Sequence, residues 1–151
     1  MGKIEDYGYT DFNIIREGFS EYSIEDMTII RVRAILLKVI KNGTDVRLNE
    51  KTFAASFSPS EMKGQPTPMI PLSDVAKRIK KPNLNYETIK EEWNEYELST
   101  GEKLSVRAIL VSASLTDMRD ENGDPIYGVQ MQVIHKITTT PAKLGQDSGV
   151  I

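Results

Sequence analysis

The sequence predicts an α+β chain that is mainly antiparallel β, a tandem duplication of an α-β-β-β unit with six strands in a barrel or two packed sheets. Three observations predict it: a gapless self-match at an offset of 74 residues, apolar–polar alternation along the matched segments, and glycine-bearing turn signals between them. Residues 11–40 fall on 85–114 with nine of thirty positions identical, among them Glu17/Glu91, Tyr22/Tyr96 and the run Val32–Leu36 on Val106–Leu110. Phe12/Tyr86, Arg16/Lys90 and Phe19/Trp93 are chemically alike. Ser58-Pro59 followed by Met62-Lys63-Gly64 is echoed by Thr140-Pro141 followed by Leu144-Gly145.

The organisation expected is an N-terminal arm over 1–10, a first unit over 11–64, a linker over 65–84, a second unit over 85–145 and a tail over 146–151. Each unit opens on a short helix. Phe12, Ile15 and Phe19, with Tyr86, Ile89 and Trp93 in the second unit, lie at i, i+3 and i+7, and Asp11 and Asn85 are good N-caps. These aromatics are read as core.

A hairpin follows in each unit. Placing Leu98 opposite Leu104 sets Tyr96 against Val106 and Glu95 against Arg107; the same register sets Ile24 against Ile30, Tyr22 against Val32 and Glu21 against Arg33. Apolar and charged side chains separate onto two faces under it. Asn122-Gly123 predicts a type I′ turn into a third strand, pairing Ile137 with Ala108, His135 with Leu110 and Met131 with Ser114. Its counterpart is placed near Lys51–Ser58, after a loop over Lys41–Glu50, with Phe53, Ala55 and Phe57 alternating. The linker combines a proline-stiffened stretch with a short amphipathic helix over Leu72–Ile79.

Composition bounds the chemistry. The chain has 151 residues, 39% of them hydrophobic and 27% charged, with no cysteine and one histidine. A disulfide scaffold, a thiolate metal site and a cysteine nucleophile are excluded, and no cofactor or metal is expected. Net charge is only -3, although residues 1–84 hold 13 basic and 11 acidic side chains and the remainder 6 and 11. No uncharged apolar stretch approaches the roughly 20 residues of a membrane span, and the first residues lack an apolar signal region, so no membrane association and a cytoplasmic setting are expected. Asn42-Gly43-Thr44 reads as a turn rather than a glycosylation site.

His135 is expected to be a buried or half-buried structural residue. The acidic stretch Asp117–Asp124 fails the calcium-loop pattern, because Pro125 stands where glycine is needed and Met131 where glutamate is needed. One feature has no structural explanation within a monomer: the outward rows along the two long strands turn apolar at Ile35, Leu37 and Val39, and at Ile109, Val111 and Ala113. These six form the candidate interface. The expected function is a non-enzymatic structural or assembly protein that forms homo-oligomers or binds another protein. A second reading is a nucleic-acid-binding β-barrel using Lys77, Arg78, Lys80 and Lys81. A third is an enzyme or ligand carrier with a cleft between the units.

Overall fold

Tyr22, Ile24, Ile30 and Val32 alternate with polar residues, and the strands that carry them form the hairpin expected of that pattern. The computed structural model describes residues 2–139; the tail expected over 146–151 and the Thr140–Gly145 echo lie outside them. Among the described residues the strands are β1 (Phe12–Arg16), β2 (Ser20–Ile24), β3 (Ile29–Asn42), β4 (Asp45–Phe57), β5 (Ile79–Lys81), β6 (Tyr86–Lys90), β7 (Asn94–Leu98), β8 (Lys103–Arg119) and β9 (Pro125–Thr138). They build two antiparallel sheets. The first runs β4-β3-β2-β6; the second runs β1-β7-β8, with β5 and β9 both on β8. Neither closes into a barrel. Their inner faces meet in one core that includes Tyr22, Ile30, Val32, Tyr96, Leu104 and Val106.

The two helices expected at the start of each unit are strands instead, β1 and β6. Each is a five-residue segment, too short for a helix to offset its nucleation cost, and Ile14-Ile15 is β-branched. The i, i+3, i+7 spacing that suggested a helix spans a strand, a bulge and the connector after it. Both strands leave their own sequence neighbours: β1 pairs with β7, Phe12 opposite Leu98, and β6 pairs with β2, Tyr86 opposite Ile24. The connectors Glu17-Gly18-Phe19 and Glu91-Glu92-Trp93 therefore cross from one sheet to the other.

Backbone geometry repeats at the 74-residue offset. The Thr10 amide donates to the Val39 carbonyl at 2.8 Å, and the Leu84 amide to Ala113 at 2.8 Å. The Glu25 amide donates to the Asn85 carbonyl and the Ser99 amide to Asp11, both at 2.9 Å. Met27 and Gly101 hold the same turn position with φ of 73° and 92°.

The β2–β3 and β7–β8 registers differ from expectation by two residues and β8–β9 by four as far as Leu110, so those faces survive while the partners change; beyond Leu110 the β8–β9 shift is odd and the faces exchange. Tyr96 lies opposite Leu104 and Glu95 opposite Ser105, while Tyr22 lies opposite Ile30 and Glu21 opposite Arg31. Between β8 and β9, Ala108 pairs with Val133 and Leu110 with Met131. The slip accumulates at two irregularities, one between Leu110 and Ser112 and one between Leu115 and Arg119. The Asn122-Gly123 turn is not type I′, which needs φ > 0 at both central residues; Gly123 alone has it, at 81°. The Gly123 amide donates to Asp120 and the Asp120 amide to Asp124, closing a three-residue loop.

The third strand of the first unit is longer than expected. β3 and β4 are joined at Asn42 and Asp45 by a two-residue turn with Gly43 at φ 61°, so Lys41–Glu50 is hairpin rather than loop. The linker helix is present as a 3-10 helix over Leu72–Arg78, followed by β5. No helix among the described residues is long and apolar enough to cross a membrane.

Candidate functional site

The bulges decide which apolar side chains reach the surface. Register slips by one residue between Leu36 and Lys38 on β3, and between Leu110 and Ser112 on β8. A residue inserted into one strand flips every side chain beyond it to the opposite face. Val39 and Ala113, expected outside, are therefore fully buried. Leu37 and Val111, the bulged residues, remain 49% exposed each, and Ile35 and Ile109 are half-buried. The candidate interface of six is thus reduced to four, and only two of those are open.

A larger apolar surface lies beside it. On β4, Ala54 lies opposite the buried Val32, on the inner-face side though itself exposed, which places Phe53 outward opposite Arg33 and Phe57 outward opposite Ile29. Phe53 is 56% exposed, Phe57 51% and Ile29 38%. The alternation Phe53, Ala55, Phe57 was legible in the sequence, but its orientation was not: small Ala54 and Ser56, not the phenylalanines, lie on the inner-face side, where they line an open groove. Arg31 stacks between Phe19 and Phe57, 4.8 and 5.2 Å from the ring centroids. The equivalent face of the second sheet is polar, with Gln132 opposite Ile109, Ile134 opposite Arg107 and Lys136 opposite Ser105.

The connectors carry the polar centre of the molecule. Tyr96 donates its hydroxyl to Glu17 at 2.7 Å and Tyr22 donates to Glu91 at 2.5 Å. Burial, then the neighbouring Glu91, pushes the Tyr22 hydroxyl up to about 12; burial, then Glu17, pushes Tyr96 further up. Glu17 also holds Arg33 at 2.6 Å. Phe12 packs edge-on to Tyr96 at 5.4 Å and Tyr86 edge-on to Tyr22 at 5.6 Å. Phe12 and Tyr86 are thus packed at the core as expected, whereas Phe19 and Trp93 lie under arginines.

No family model matches the chain, and no curated protein or solved structure matches it.

The remaining candidates fall apart in space. His135 is exposed on β9 opposite Val106, not buried, because that part of β9 runs along the sheet edge with no strand beyond it. The basic cluster is largely compensated: Lys77 meets Asp74 at 3.4 Å, Arg78 meets Asp117 at 2.8 Å and Lys81 meets Glu25 at 3.1 Å. Lys80 has no ion pair among the described residues. The Glu25 carboxyl lies below its ordinary value, held there first by the Asn85 amide and then by Lys81. In the acidic stretch, Asp120 is spent on the Asn122 and Asp124 amides; no group of three or more metal-ligating side chains occurs among the described residues. A groove of about 760 Å³ lies between β4, the 3-10 helix and β9, lined by Ala54, Val75, Tyr127, Val129 and Met131. Its titratable residues are Asp120, already committed to the turn, and Tyr127, whose hydroxyl donates to Asp26 at 2.6 Å.

Proposed function

We propose that this chain is a non-enzymatic assembly protein that forms homo-oligomers, as the repeating subunit of a larger particle or filament, and that it descends from one ancestral unit present twice. The observation that carries the assembly reading is the exposure of Phe53 and Phe57 on one face of the free edge strand β4, with Ile29 of β3 exposed opposite Phe57. The half of this edge strand after Lys51 carries no charge up to Phe57, and an uncharged aromatic edge with unpaired backbone groups is a surface that soluble monomers otherwise shorten, bulge or charge.

A second copy suits this edge. Antiparallel pairing of β4 with β4 of another copy, about a two-fold axis at Phe53, keeps both aromatic rows on one face of a continuous sheet. Lys51 then opposes Ala55, Glu50 opposes Ser56, and no like charges meet. The polar face of the second sheet stays in solvent. The shared 74-residue offset in strand pairing, bulges and turns supports descent from one unit.

Light scattering across a concentration series tests the assembly reading. The parent chain should scatter as a dimer or larger, and the double substitution Phe53→Lys, Phe57→Lys should scatter as a monomer with unchanged circular dichroism. A parent chain that is strictly monomeric at tens of micromolar overturns it.

A further inference from the structure

The two outer faces balance their charges differently. On the first sheet the two arginines of β3 each have a carboxylate: Arg31 meets Glu21 at 2.9 Å and Arg33 meets Glu17 at 2.6 Å. On the second sheet the residue equivalent to Arg33 is Arg107, and that equivalent to Glu17 is Glu91. Glu91 receives the Tyr22 hydroxyl but makes no ion pair with Arg107. The other nearby carboxylates are taken. Glu92 is held by Arg16 at 2.8 Å and Lys90 at 3.3 Å, and Glu95 by Lys103 at 2.7 Å. Arg107 lies 4.5 Å from the centroid of the Trp93 ring, and Lys136 lies 4.6 Å from the same centroid. Neither has a counter-ion among the described residues, and the Arg107 Nε is buried without an acceptor. The Arg33 Nε is buried in the same way, but its Nη2 is neutralised by Glu17.

We propose that Arg107, Lys136 and Trp93 form a binding site for a phosphate-type oxyanion on the outer face of the second sheet. The indole holds the guanidinium plane in one orientation, so its planar fork is set before a ligand arrives. Lys136, diagonal to Arg107 across β8 and β9, supplies a second positive charge. A phosphate oxyanion accepts from both and completes the counter-charge that Glu17 provides on the first sheet. The second half of the chain is acidic overall, which suits a single compact anion rather than a long polyanion.

Trp93 is the sole tryptophan, so its emission reports on the site directly. Titration with inorganic phosphate at constant ionic strength should give a saturable change that sodium chloride does not reproduce. Arg107→Gln and Lys136→Gln should each weaken apparent affinity by about tenfold or more, as loss of one charge-assisted contact implies. Lys51→Gln on the first sheet should leave it unchanged. Lys136 is exposed on an edge strand, so its substitution reports on the site without risk to the core. The absence of a saturable response, or the same response in the Arg107→Gln, Lys136→Gln double variant, overturns the proposal. A response to a short oligothymidylate with none to inorganic phosphate overturns it in favour of a nucleic-acid surface.

Discussion

The Tyr22 hydroxyl donates to Glu91 and accepts from the Leu110 amide at 3.1 Å, so one side chain of the first sheet satisfies a connector and the backbone of the second. Tyr22→Phe leaves the buried Leu110 amide without its acceptor. The expected loss is about 1–3 kcal/mol, read as a drop of several degrees in Tm and a lower denaturant midpoint at unchanged slope.

The same hydroxyl fixes an alkaline limit. Its folded value, about 12, lies above the tyrosine reference near 10, so the folded state binds the proton more tightly. That contribution is fully present below about pH 10 and is lost as pH rises through about 12. Tyr127 behaves likewise, pushed up to about 12 by burial and then by Asp26. Stability measured by urea unfolding should therefore fall above pH 10, and less steeply in Tyr22→Phe.

Met27 carries φ of 73° at a turn position where its counterpart is Gly101, and its side chain is 76% exposed. A non-glycine residue there costs about 1–2 kcal/mol. Met27→Gly should raise stability by about 1 kcal/mol, and Gly101→Ala should lower it by a similar amount, both read by thermal unfolding.

The bulge at Leu37 predicts unequal losses for two neighbours of similar character. Val39→Ala removes methyl groups from a fully buried site and should cost about 1–2 kcal/mol. Leu37→Ala, at a half-exposed site, should cost less than about 1 kcal/mol in dilute protein. Equilibrium denaturation of the pair measures the difference.

Two-residue alternation and the 74-residue self-match were enough to place the β2–β3 and β7–β8 hairpins, their inner faces and the predominance of antiparallel β. These are local properties: side chains alternate on any strand, and an apolar row needs a core wherever it lies. Orientation of Phe53 and Phe57 and the burial of Val39 and Ala113 depend instead on register, which bulges at Leu37 and Val111 reset without any marker in composition, and the exposure of His135 depends on β9 having no strand beyond it. The assignment of β1 and β6 as strands was likewise beyond reach of spacing, because five residues become a strand only when a partner edge accepts them. That edge belongs to the other half of the chain, 62 or more residues away. Local periodicity thus specified which residues seek the interior, while long-range pairing settled which neighbours they meet and which side chains are left facing solvent.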